Sequence, residues 1–460
     1  MLPSRNLPAS FDRVLSPVRG CFTQPSFQTF VVLFCGFVSV VGERTVTGML
    51  ICSGYSGIWG HERAHRFFSR ARWSVDALGL AVCDLVVAHL LAPGAAIELA
   101  VDDSLFKRCG PKVWGVFWHH DATSASTKPV AKGTCYVVVG VVAHVPFMNR
   151  AVCLPVRVTL WTPKPKAQGR KGKTRQDTTA VAAKNCPSKV AIAKTAVLAI
   201  AARYPDRAIC VTGDAAYVSQ ALRGMPTRVT WTSRLRSNAA LHEFPPPRTG
   251  RRGRPRTRGA RLPGLAQIAR DAMFTPVQVT RYGADRGPVT VEAYSFRCLW
   301  YGVLGAQTVT VIMVREPGQA GYGIAIVSTD LDSTAEALIQ RYARRWSIEV
   351  TFEEGKEIAG VADARNRTQH AVERTVPFCL YSMSILIVWF ATAGINHDRL
   401  IAERRRTAPW YTTKTAVSFA DILTTARRVL TASQFRPVHA PDHQTRENDI
   451  TRLALESIAA

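Results

Sequence analysis

Ile97-Glu98-Leu99-Ala100-Val101-Asp102-Asp103 and Ala208-Ile209-Cys210-Val211-Thr212-Gly213-Asp214 are the two stretches on which the fold turns. Each is a short, largely apolar run that ends in an acid. An acid at the carboxyl end of a strand sits at the rim of a sheet, where α/β folds place their sites. Two further β-rich runs, 133–144 and 152–162, stand between them and read as an antiparallel pair. A helix over 187–204 follows, with Ser188 near its start and Pro205 just past its end.

This β–β–β–α–β order fits an RNase H-like α/β fold, a mixed sheet with flanking helices in which the first and fourth strands are neighbours. Asp103 and Asp214 then converge at one rim. Clustered carboxylates repel and hold raised pKa values unless a cation neutralises them. Magnesium or manganese suits such a site, being hard ions that prefer carboxylate oxygen. Two such ions activate an attacking oxygen and stabilise a leaving one in phosphodiester displacement.

A third acid is expected from a helix that begins near Ser333 and runs through Lys356. At about 100° per residue, Tyr342, Arg345, Glu349 and Lys356 share one stripe about 60° wide. Ile348 and Phe352 border it on one side, and Trp346 and Val350 on the other. An (i, i+4) salt bridge accounts for Arg345 with Glu349 but leaves Tyr342 and Lys356 in the stripe unexplained.

The pattern Tyr342-x2-Arg345-x3-Glu349-x6-Lys356 resembles the Tyr–Arg–Glu–Lys motif of bacterial insertion-sequence transposases, members of the DDE superfamily with an RNase H-like catalytic core. Val101-Asp102-Asp103-Ser104 and Val211-Thr212-Gly213-Asp214 resemble its two Asp strands, over roughly residues 95–395. The family also carries a β-rich insertion ahead of its catalytic Glu helix. The resemblance implies that Asp103, Asp214 and Glu349 are catalytic metal ligands holding two Mg2+ or Mn2+ ions. An Asp followed by Thr or Ser is usual there, which favours Asp103 over the alternative, Asp102. It further implies that Tyr342, Arg345 and Lys356 contact DNA phosphates near the cut, and that Trp346 packs on terminal bases. The implied activity is cleavage and strand transfer at the inverted-repeat ends of a mobile element. The partners are double-stranded DNA, as element ends and target, and a second copy of the chain in a homodimer.

Charge points the same way. The 460 residues include 59 Lys+Arg against 33 Asp+Glu, a net charge of +26. Such an excess calls for a polyanion. Residues 157–194 carry ten cations and one acid, and residues 222–261 carry eleven and one. Within the first lie Lys164, Lys166, Arg170, Lys171 and Lys173. The second holds Arg248, Arg251, Arg252, Arg254, Arg256 and Arg258 in a Pro- and Gly-rich loop. Its centre, Arg252-Gly253-Arg254-Pro255, resembles the AT-hook core that enters the minor groove. Both segments are expected to rim one active-site groove.

The expected organisation is a helical DNA-binding region over 1–92 and a catalytic core over 93–235 and 333–398. The core is interrupted by a β-rich insertion over 236–332 and followed by a helical region over 399–460. Eleven scattered cysteines without a C-x-x-C exclude a zinc ribbon and suit reduced thiols. Apolar runs at 30–41 and 376–391 read as buried helices, so the expected setting is the bacterial cytoplasm and nucleoid, with no membrane role. His119-His120-Asp121 reads as structural. Two competing functions remain: a catalytically silent DNA-binding regulator, and a structure-selective RNase H-fold nuclease or resolvase.

Overall fold

Five helices precede the first strand: α1 (Ala9–Leu15), α2 (Gln24–Ser39), α3 (Val46–Cys52), α4 (His61–Ser69) and α5 (Val75–Leu90). The computed structural model describes residues 7–121, 127, 129–163, 186–247, 255–283 and 287–434. Side-chain caps set where these helices begin. Thr23 accepts from the Ser26 amide ahead of α2, and Ser74 from the Ala77 amide ahead of α5, each satisfying a donor with no partner inside the helix.

The sheet follows in the order β1 (Ile97–Lys107), β2 (Phe117–His120), β3 (Val130–His144), β4 (Ala151–Trp161), α6 (Lys189–Arg203), β5 (Ile209–Gly213) and β6 (Val229–Arg234). β3 runs antiparallel to both β1 and β4, while β1, β5 and β6 are parallel. The spatial order β4-β3-β1-β5-β6 is that of an RNase H-like sheet, and the fold is of that class. Ser188 caps α6 by accepting from the Ala191 amide.

The segment after β6 forms α7 (Leu265–Asp271), β7 (Thr275–Thr280), β8 (Pro288–Leu299), α8 (Tyr301–Leu304), β9 (Thr308–Arg315) and β10 (Ile324–Ser328). β10 pairs antiparallel with β6, and β9, β8 and β7 follow outward. These four strands therefore continue the core sheet.

Two helices come next, α9 (Ala335–Arg344) and α10 (Ser347–Glu357), where one had been expected. Arg345 and Trp346 separate them with right-handed but tighter geometry. The amides of Ile348 and Glu349 donate three residues back, to Arg345 and Trp346. A short 3₁₀ step of this kind inside a helical run often marks a functional hinge.

The chain continues with α11 (Gln369–Thr392), α12 (His397–Thr407) and α13 (Phe419–Gln434). α11 is apolar and long enough to cross a membrane, yet 89% of its most apolar window is buried within the protein. It packs on α5 and β4, and Phe11 of α1 stacks on Trp389 at 4.5 Å between ring centres. The N-terminal helices thus share the core that covers one face of the sheet.

Candidate active site

The parallel pairing of β1 with β5 ends at Val101 opposite Gly213. β1 itself does not stop at its acids, as the sequence suggested. Its antiparallel partner β3 carries it on to Lys107, with Asp102 opposite Val138 and Asp103 opposite Val137. The acids therefore lie one step past the point where β5 gives out. Asp214 is the next residue after β5, and its carboxylate accepts from the Ala216 amide to cap a short 3₁₀ turn. Ser233 Oγ of β6 donates to the Asp214 carbonyl at 2.6 Å.

Successive residues of a strand point to opposite faces, and this separates the two acids. Asp103 faces α6, where its carboxylate meets Lys189 Nζ at 2.5 Å and accepts from Tyr217 Oη at 2.8 Å and Cys135 Sγ at 3.2 Å. Asp102 faces α9 and α10, and its Oδ2 lies 3.3 Å from Arg345 Nη1. Burial pushes the Asp102 carboxyl up to about 7. The Asp214 and Asp103 charges contribute to that rise, and the Asp103 amide and Arg345 oppose it. Asp102, rather than the Asp103 favoured from sequence, is thus the acid that shares its surroundings with Asp214 and the catalytic-helix residues.

Arg345 joins the helical part of the site to the strands. Its Nη2 lies 2.7 Å from Glu349 Oε1 while Nη1 reaches Asp102. The side chain is nine-tenths buried, so one fixed cation stands between two carboxylates. Tyr342 lies within 5.7 Å of the same guanidinium. Burial raises the Tyr342 phenol; Arg345 and Arg234 lower it and Asp214 raises it, so the tyrosine sits within reach of all three. Trp346, at the break between the helices, is 51% exposed. Lys356 lies apart from this group, its Nζ 5.5 Å from the Phe106 ring centre and within the field of Asp121 and Lys107. Of the stripe expected on one helix, Tyr342, Arg345 and Glu349 come together, and Lys356 is set at its far end.

Further pairs hold the helices on the sheet. Glu98, four residues before Asp102 on the same face, binds Arg344 at 2.6 Å, and Asp330 binds Arg341 at 2.7 Å. Arg150 reaches the buried Glu354 of α10 at 2.8 Å. His119 is buried beside Trp161 and Asp121 pairs with Lys107 at 2.9 Å, so that triplet is structural.

Only part of the two basic segments falls within the described residues. Lys164, Lys166, Arg170, Lys171, Lys173, Arg248, Arg251, Arg252 and Arg254 lie outside the described residues. Several cations within the described parts are spent internally. Arg157 is buried against Asp76 at 2.9 Å, Lys189 holds Asp103, and Arg223 and Arg228 donate to backbone carbonyls. Arg256 and Arg258 are exposed, and Arg258 lies over Tyr301 at 4.9 Å. Tyr301 follows β8, whose last residues lie at the end of the sheet away from Asp214. The described part of that loop therefore does not rim the acids.

The donor set is chemically suited to a hard divalent cation. Asp102 lies within the field of Asp214 at a partly buried rim, where its charge is disfavoured without a neutralising partner. Arg345 presently supplies that positive charge, and among the described residues no three His, Cys, Asp or Glu side chains are close enough to hold a metal.

An RNase H-like sheet that carries acids where two adjacent parallel strands part, with a third acid on the helix above, is the arrangement expected of a carboxylate-type nuclease. Residues 17–286, more than half of the chain, match the family described as DDE superfamily endonuclease, and the chain belongs to that family. The matched span takes in both Asp-bearing strands and stops ahead of α9. No curated protein matches the chain. The protein is accordingly a transposase-like nuclease with DNA as its substrate.

Proposed function

We propose that this chain is a transposase that binds the inverted-repeat ends of a mobile element as a homodimer, cuts them and joins them to target DNA. The observation that carries this reading is the meeting of Asp102, Asp214 and the Arg345–Glu349 pair where β1 and β5 part. Asp102, Asp214 and Glu349 are the residues that would hold Mg2+ or Mn2+. When bound, such ions supply activation of the attacking oxygen and stabilisation of the leaving one.

The chain's own residues do the rest. β1 and β5 fix two carboxylates through ladder hydrogen bonds, which suits a reaction that demands exact placement of phosphorus. Arg345 and Tyr342 present a cation and a phenol where a scissile phosphate must lie. Water oxygen bonds to phosphorus, the bond from phosphorus to the 3′ oxygen breaks, and that oxygen takes a proton to leave as a 3′ hydroxyl. The hydroxyl then attacks a phosphodiester of the target, with one phosphorus–oxygen bond formed and one broken. Trp346, exposed beside the acids, offers a face on which a terminal base can stack.

The test is cleavage of a labelled duplex carrying the element's ends, with magnesium, by wild type and Glu349→Gln. Loss of nicking with retained binding supports the reading. Undiminished nicking by the variant, or binding without nicking by wild type, refutes it; the latter result is that of a silent regulator.

A further inference from the structure

A third cluster of cations lies outside the two basic segments, in His61-Glu-Arg-Ala-His-Arg-Phe-Phe-Ser-Arg-Ala-Arg72. α4 buries Ala64, Phe67 and Phe68 and turns Arg63 and Arg66 outward, with Arg70 at its end and Arg72 just beyond. The spacing of residues 63, 66 and 70 places them on one stripe of the helix. They do not lie on a convex face. With Arg72, Thr29 and Glu62 they line an open groove of about 770 Å³ between α4 and the beginning of α2.

Two properties separate this groove from an ordinary solvated surface. Arg63 is held in place: Nε donates to Thr29 Oγ1 at 3.2 Å, Nη2 donates to Gln28 Oε1 at 3.4 Å, and the guanidinium stacks 3.6 Å from the Trp59 ring centre. A guanidinium fixed in this way loses little freedom on meeting a ligand. Arg66, Arg70 and Arg72 are exposed, and among the described residues no acid pairs with any of them. Glu62, the one acid in the wall, is turned toward His61 at 3.6 Å.

We infer that this groove is a binding site for the phosphate backbone of duplex DNA, separate from the carboxylate site. The stretch from residue 63 to 70 covers about 10 Å of helix axis, the length of about three phosphates at 3.4 Å per strand. A concave trough fits a rod better than a flat anionic bilayer. Contacts to phosphate fix the position of a duplex and carry no sequence information. The groove is also rigidly joined to the catalytic body. Arg374 of α11 donates to the carbonyls of Phe68, Ala71 and Trp73, which fastens the stretch bearing Arg70 and Arg72 to the central helix. DNA held there is therefore held at a fixed offset from Asp102 and Asp214. This inference rests on the transposase reading only in taking duplex DNA as the polyanion.

The test uses the full chain in EDTA, a fluorescent 30-base-pair duplex of arbitrary sequence, and anisotropy across a KCl series. The variant Arg66→Ala/Arg70→Ala/Arg72→Ala changes only exposed side chains. It is expected to bind more weakly and to flatten the log K against log salt slope by about 2.7, at about 0.9 per lost phosphate contact. Replacing the same three residues with Lys should restore the slope. Unchanged affinity and slope in the Ala variant overturn the groove while leaving the transposase reading intact. So does unchanged DNA binding accompanied by lost binding to phosphatidylserine vesicles, which assigns the groove to a bilayer. A wild-type chain that binds no duplex at all overturns both readings.

Discussion

Asp102 and Asp103 are joined by one peptide bond and serve opposite faces of the sheet: the first reaches Arg345, the second Lys189 and Tyr217. Their amide variants should separate cleanly. Asp102→Asn is expected to remove magnesium-dependent nicking while leaving fold and DNA affinity in place. Asp103→Asn is expected to retain nicking and lose about 1–2 kcal/mol of stability, because a half-buried ion pair and its hydrogen bonds are weakened. Nicking assays beside urea melts give both readouts, and the reverse pattern would return the first ligand to Asp103.

Arg345 lies between Asp102 and Glu349 as a fixed positive charge. A divalent ion and this guanidinium compete for the same oxygens. Arg345→Ala should therefore bind Mn2+ more tightly than wild type in the absence of DNA, as read by electron paramagnetic resonance of free Mn2+, and still cut poorly. Weaker Mn2+ binding would show that Arg345 assembles the acids and does not oppose the ion.

Two part-buried carboxyls each contribute an acid-side preference. Burial raises Glu354 from 4.5 to about 7, the neighbouring Glu353 adding to it against the pull of Arg150, and Asp102 is likewise raised to about 7. Each binds a proton in the folded chain that the unfolded chain has already released. The contribution of these two groups to stability therefore falls as pH rises from about 4.5 to 7. Glu354→Gln should remove roughly 2–3 kcal/mol of that fall, measured as the difference in unfolding free energy between pH 5 and pH 8. A variant with the full wild-type slope would contradict this.

Gly79 of α5 has no room for a side chain. A Cβ there would lie 2.2 Å from the Val156 carbonyl oxygen and 2.7 Å from Tyr381 Oη. Gly79→Ala must push α5 off β4 and α11, at a cost of about 1–3 kcal/mol. Thermal melts should register the loss.

Much of the fold was legible in the sequence because its signals are local. The caps Ser74 and Ser188, the apolar strand ahead of Asp214 and the long buried α11 depend on nearby residues alone. The end of β1 was misplaced because a partner 30 residues away, β3, extends it. The choice between Asp102 and Asp103 was in fact open to a stricter reading. Alternation groups Asp103 with Ile97, Leu99 and Val101, and Asp102 with Glu98, which binds the catalytic helix. The break after Arg344 carries no proline or glycine, and tertiary pairing of Arg344 and Arg345 with strand acids accompanies it. In the described parts of the basic segments, net charge did not reveal that Arg157, Lys189, Arg223 and Arg228 are committed to acids and carbonyls.

The four added strands have a mechanical consequence. β10 is bonded along β6, and β6 holds Asp214 through Ser233. The outer strands are thus joined through one continuous sheet to the backbone of Asp214, and a load placed on them would reach that residue.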